Sequence, residues 1–182
     1  MRKLLFGVMM LAMMSTTANA RSYYDEKDDW VIFGENTVKN EGYSLACAMM
    51  SQRPTDSKFL YMLVTEPQSV EWRILISSKL ASGITSKLVP GPIDAVIESG
   101  SSELMKLKGV VSKDAITFKL KGDTRSNQTQ RMKKAILEES KLKITLNRQG
   151  TPPDTITVSL DGASDALVSM SKCVGRLLHL DD

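Results

Sequence analysis

Few side chains in this sequence could do covalent or coordination chemistry: two cysteines, Cys47 and Cys173, and a lone histidine, His179. The stretch from Thr155 to Leu160 alternates apolar and polar residues, then passes through Asp161-Gly162 into a segment where Ala163, Ala166, Leu167, Met170 and Cys173 recur at helical spacing. The Cys173 sulfur therefore shares the apolar face of a short helix that ends there. Cys47 lies in a second alternating segment, in which Tyr43, Leu45, Cys47 and Met49 share one face. Two inward-facing thiols in an even count predict a structural disulfide if the chain meets oxidising conditions. Closing so long a loop would restrict the unfolded chain by roughly 5 kcal/mol on the entropic account. The alternatives are two unpaired buried thiols or a redox pair, and redox pairs usually sit as Cys-x-x-Cys with a lowered thiolate pKa.

The remaining candidates for chemistry are weak. A zinc or copper site at His179 would need carboxylates or methionines from elsewhere. Met49 and Met50 are adjacent on a predicted strand and point to opposite faces, so they cannot easily reach one ion. The acid pairs Asp28-Asp29, Glu138-Glu139 and Asp181-Asp182 are sequence neighbours, whereas a general acid and base need opposed, differently tuned surroundings. There is no Gly-x-Ser-x-Gly elbow, no phosphate loop, and no histidine besides His179 for a serine triad. The expectation is a non-enzyme, with no catalytic, cofactor-binding or metal residues.

Arg2 and Lys3, the apolar run Leu4 to Met14 and the small residues up to Ala20 read as a secretory signal peptide cleaved after Ala20. The apolar run is about half of the roughly 20 residues a membrane span needs. A periplasmic or secreted chain with no membrane span after cleavage is expected. The whole chain carries 24 Lys+Arg against 21 Asp+Glu; residues 1–20 hold Arg2, Lys3 and no acid, so cleavage leaves a nearly neutral protein. With few aromatics and no basic cluster beyond Arg131-Met132-Lys133-Lys134, a nucleic-acid partner has no support.

The elements that must position the cysteines follow from periodicity. Residues 21–29 read as an irregular lead and 30–182 as a single β-rich domain. Strands are predicted at Trp30–Phe33, stopped by Gly34-Glu35-Asn36, then at Tyr43–Met50, Lys58–Thr65 and Glu71–Ser77. Ala81 to Pro92 reads as a loop. Further strands are predicted at Ile93–Glu98, Glu103–Val111 and Asp114–Lys121, with Ile116, Phe118 and Leu120 inward. From Asn127 to Ser140 the period changes to 3.6, with Met132, Ala135, Ile136 and Glu139 on one stripe. Alternation returns at Lys141–Leu146 and Thr155–Leu160. The inner faces of 116–120, 142–146 and 155–160 are expected to pack on the Cys173 helix. The fold class is mainly β, a β-rich α+β arrangement: an antiparallel β-sandwich or strongly curved sheet with one internal and one C-terminal helix.

Trp30 near the mature start, Cys47 in the next strand, a run of short strands, a helix, two strands and the close Ser159-Leu160-Asp161-Gly162-Ala163-Ser164-Asp165-Ala166-Leu167 leading to Cys173 resemble small exported proteins grouped with the invasion-associated locus B family of proteobacteria. The tail Val174 to Asp182 runs past the usual end of that pattern. The resemblance implies an exported protein without an assigned catalytic residue and with a virulence association. Three functions are compatible with these residues. The first is a non-enzymatic protein acting through contact with an unknown protein partner in the envelope or outside the cell, for envelope maintenance or host interaction. The second is a module binding a small ligand or glycan between sheet and helix, and the third is a hydrolase of unfamiliar type.

Overall fold

The computed structural model describes residues 21–39, 42–52, 59–66, 69–77, 90–112, 115–120 and 127–178. The predicted leader, most of the 81–92 loop and His179 lie outside these residues. Five strands run in succession as a meander: β1 (Arg21–Lys27), β2 (Trp30–Lys39), β3 (Gly42–Ser51), β4 (Phe59–Glu66) and β5 (Ser69–Ser77). Next come β6 (Gly91–Ser99), β7 (Ser102–Val111), β8 (Ala115–Leu120), the helix α1 (Asn127–Glu138), β9 (Lys141–Asn147), β10 (Asp154–Ser159) and the helix α2 (Ala163–Leu178). All pairings are antiparallel, in the order β1-β2-β3-β4-β5-β8-β7-β6-β9-β10, and the sheet is not closed. The three-strand unit β6–β8 is thus inserted in reverse between the meander and the final hairpin.

The predicted facing holds. Ile116, Phe118, Leu120, Leu142, Ile144, Leu146, Ile156 and Val158 are all buried, and they join Trp30, Ile32, Phe59, Trp72 and the apolar stripes of both helices in one core. The inner residues of each strand repeat at period 2, as a sheet with one covered face requires. Phe118 is fully buried opposite Gly109, its cross-strand partner. A Cβ on Gly109 would lie 2.4 Å from the Phe118 ring, so the missing side chain is the space the ring occupies.

Several expectations about where elements begin and end change. The lead at 21–29 is not irregular: Arg21–Lys27 forms β1, paired along its whole length with β2 through a turn at Asp28-Asp29. Asp28 takes a positive φ of 51°, which a short polar side chain tolerates, and Tyr23 supplies the inward apolar contact that the charged sequence hides. Gly34-Glu35-Asn36 does not stop β2, which runs to Lys39. Gly91 and Pro92 belong to β6 rather than to a loop; Pro92 pairs only with β7, because β9 joins β6 from Asp94 onward. The last helix continues past Cys173 to Leu178, held by buried Leu177 and by the Asn36 amide, which donates to the Leu177 carbonyl at 2.8 Å.

The bond between Cys47 on β3 and Cys173 on α2 is formed, with Cα atoms 6.2 Å apart across 126 positions. It fixes where α2 lies. The helix packs on β1, β2 and β3, so the expectation that β8, β9 and β10 would carry it is corrected: those strands share its core but not its main contact. At the other end of the helix, Trp30 Nε1 donates to the Asp161 carbonyl at 2.9 Å. Gly162 passes so close to the β1–β2 turn that a Cβ there would lie 2.7 Å from Asp28 Oδ2. Within α1, Glu139 lies beyond the helix end and is exposed; Thr129 takes a place on the buried stripe instead.

Two outcomes follow. Phe118→Ala should destabilise by about 3 to 5 kcal/mol, and Lys119→Ala, which removes only an exposed ion pair with Glu71, by under about 1 kcal/mol. Urea unfolding measures both, and equal losses would contradict the assigned facing. Gly34 touches the bridge: a Cβ there would lie 2.2 Å from Cys173 Sγ and 3.0 Å from Cys47 Sγ. Gly34→Ala should therefore destabilise the bridged protein by about 1 to 3 kcal/mol, an overpacking loss. In a Cys47→Ala/Cys173→Ala background most of that loss should disappear, and an undiminished loss would show that the bridge is not what the glycine accommodates.

Candidate functional site

Both helices lie against the inner face of the sheet, and they meet each other above β4 and β5. Helix α1 turns Thr129, Met132, Ala135 and Ile136 into the core. Its next positions, Lys133 and Leu137, fall at the margin of that stripe, facing the Ser171 and Val174 side of α2. Residues one turn apart on a helix share a flank, so Lys133 and Leu137 line the same wall. The floor comes from Leu63 and Trp72, cross-strand partners on β4 and β5. Between walls and floor is a cavity of about 480 Å³, bordered also by Met170 and Leu167. Leu137, 54% exposed, stands at its rim.

Trp72 organises the polar groups of this groove. Tyr61 stacks on it with ring centroids 4.9 Å apart, and the Lys133 ammonium lies 4.6 Å from the indole centroid. A cation over an indole face gains from the ring quadrupole. Burial nevertheless pushes the Lys133 ammonium below the usual lysine range, because removal from water penalises the charged form. Among the described residues Lys133 has no carboxylate partner; its neighbour Lys134 pairs with Glu138 at 3.7 Å. Trp72 Nε1 and the Tyr61 hydroxyl are buried without hydrogen-bond partners among the described residues. Burial holds the Tyr61 hydroxyl in its neutral form by pushing its pKa up.

The residues singled out in the sequence are distributed elsewhere. Cys47 and Cys173 are bonded to one another, so neither is a free thiol. Trp30 is 1% exposed, meets Phe59 edge-on at 6.5 Å and is a core residue. Met49 is buried while Met50 points to the opposite face. Asp28-Asp29 forms a hairpin turn, and Glu138-Glu139 ends α1 in solvent. Among the described residues no group of three His, Cys, Asp or Glu side chains converges on a point that could hold a metal. Nor is any helix among them long and apolar enough to cross a membrane.

Two other polar constellations serve the fold. Tyr23 and Ser169 hydroxyls lie 2.9 Å apart, and Ser169 donates to the Asp25 carboxylate, so the chain of donors runs Tyr23 to Ser169 to Asp25 and ties α2 to β1. Arg176 lies over the Tyr23 ring at 5.6 Å. With Ser169 1% exposed and its hydroxyl held between Tyr23 and the Asp25 carboxylate, this cluster anchors the helix rather than presenting a nucleophile. On the outer face, the β7–β8 ladder ends at Gly109–Phe118, and a cavity of about 360 Å³ lies near Asp94, Lys106, Lys108 and Lys119. Its cations are already engaged at Lys106, by Glu103 at 3.3 Å, and at Lys119, by Glu71 at 3.0 Å. Arg73 and Lys119 hold the Glu71 carboxyl below the usual range.

No protein-family model, curated protein or solved structure matches the chain. The class that fold and site define is therefore stated on their own terms: an open, ten-stranded antiparallel sheet covered on one face by two helices, with an apolar groove between the helices. The period of 127–140 marked α1 as amphipathic, but nothing in the sequence brought it over Trp72, since that meeting depends on which strands lie under α1.

The Asp25 anchor sets a pH dependence. The Ser169 hydrogen bond, helped by Lys27, holds the Asp25 carboxyl below its ordinary value. A carboxylate lowered on folding contributes stability that is present above its unfolded pKa, about 3.9, and is lost as pH falls through the folded value. The stability difference between the wild type and Ser169→Ala should thus be largest above about pH 4 and narrow in more acid solution. Denaturation curves at several pH values test this, and a constant difference would refute the linkage.

Proposed function

We propose that this is an exported, non-enzymatic binding protein that takes a small, largely apolar ligand into the groove between α1 and α2. The observation that carries the reading is the groove itself. Its volume of about 480 Å³ lies within the range of roughly 300–1,000 Å³ common to small-molecule sites, and its walls are apolar with a few polar groups. Export is supported by the leader-like segment at 1–20 and by a disulfide that an oxidising compartment would preserve.

A second reading is contact with a protein of the envelope or the host, with which the virulence association implied by a resemblance to the invasion-associated locus B family agrees. Its support is a pair of aromatic side chains on the outer face: Tyr24, 65% exposed, and Phe33, partly exposed, are cross-strand neighbours on β1 and β2. Aromatic residues are enriched at contact surfaces.

Native mass spectrometry of protein taken from the envelope of its producing cell tests both. A chain beginning at Arg21 with a bound small molecule that is lost in a Leu137→Gln/Val174→Gln double variant is the expected result. A ligand-free chain that carries a protein partner, released by Tyr24→Ser/Phe33→Ser, would replace the first reading with the second.

A further inference from the structure

We propose that the groove between α1 and α2 selects a long-chain carboxylate, with its alkyl chain against Leu63, Leu137, Met170 and Val174 and its carboxylate paired with the Lys133 ammonium above Trp72. The inference rests on the groove being the ligand site and adds the chemical class of the ligand.

The argument is one of charge in an apolar place. A cation drawn out of water is destabilised unless an anion or acceptor replaces its hydration. Lys134 has Glu138, and Lys119 has Glu71, but among the described residues Lys133 has only the indole face. The one carboxylate in the lining, Glu138, is paired with Lys134, which leaves the half-buried Lys133 ammonium as a position for an incoming anion. The unpaired ammonium therefore favours an anionic head over a cationic one. The lowered affinity of Lys133 for its proton has the same origin, since burial disfavours the charged form until a counter-ion arrives.

The rest of the lining sets the remainder of the ligand. Leu63, Leu137, Met170 and Val174 offer apolar contact along the gap between two helices. Methionine in such a wall adapts to a flexible chain better than a branched side chain does. With Lys134 and Glu138 of the lining paired to each other, the Lys133 ammonium is left to match one negative charge. A single-chain monoanion satisfies both the lining and the charge.

Calorimetric titration of the disulfide-bonded protein with dodecanoate, dodecan-1-ol and dodecyltrimethylammonium tests the assignment. Dodecanoate should bind at least about tenfold tighter than dodecan-1-ol, equivalent to about 1.4 kcal/mol, and dodecyltrimethylammonium should bind most weakly. Lys133→Met keeps the stem over Trp72 and should abolish the preference for the carboxylate, while Lys133→Arg should retain it. The Leu137→Gln/Val174→Gln double variant should weaken all chains severalfold. Equal binding of dodecanoate and dodecan-1-ol, unchanged in Lys133→Met, would overturn the carboxylate assignment and leave the groove reading standing. Preference for the cationic chain would overturn it too. Absence of binding by every chain, or binding indifferent to the double variant, would overturn the groove reading itself.

Discussion

The contact on which the rest of the structure depends is the seating of the Cys47–Cys173 bridge on the bare backbone of Gly34. Gly34 and Cys47 face each other across β2 and β3, so the sulfur pair has room only because the residue opposite has no side chain. Three elements meet in that volume: β2, β3 and α2. In the entropic account, closing a loop of 126 positions restricts the unfolded chain by roughly 5 kcal/mol. Position matters as much as energy, because the bridge, the Trp30–Asp161 hydrogen bond and the Ser169–Asp25 anchor together hold α2 over the β1 end of the sheet. Since α2 begins directly after β10, the same three contacts draw the two ends of the sheet toward one another without a hydrogen-bonded closure.

The groove is a by-product of this arrangement. Helix α1 connects β8 to β9, which are separated in the sheet by β7 and β6, so it must cross the inner face. Helix α2 comes from the opposite edge and is pinned on β1–β3. Two helices brought from different directions onto one curved face leave a wedge between them where neither fills the space above β4 and β5. Trp72 and Leu63 floor that wedge. Enlarging it would expose the Tyr61–Trp72 stack, and filling it would need a larger side chain at Leu137 or Val174.

Much of this was legible in the residues. Strict alternation at Ile116-Phe118-Leu120 and Leu142-Ile144-Leu146 specifies which side chains turn inward, because a one-residue slip would reverse every one of them. Inward-facing Cys47 and Cys173 announced their pairing for the same reason. Local pattern could not say that Gly34 continues a strand, since a glycine followed by Glu35-Asn36 has the composition of a turn; only the sulfur pair packed on it explains the residue. Nor could it reveal β1, whose charges at Asp25, Glu26 and Lys27 mask a strand that is held by its neighbour and by α2. The groove was least legible of all. Trp72 and Lys133 are 61 positions apart, and their approach depends on the reversed insertion of β6–β8, a non-local pairing that no periodicity encodes.

That inserted order bears on how the chain reaches its folded state. Strands β1 to β5 can pair as they emerge, each with its predecessor, but the free edge of β5 waits for β8, and β6 waits for β9. Pairings of high sequence separation form slowly because loop closure precedes any reward from contact. The Cys47 thiol is therefore synthesised long before its partner, with seven strands and a helix between them in the chain. The bridge can close only once Cys173 has been made, and until then the Cys47 thiolate is open to exchange with any disulfide that it meets.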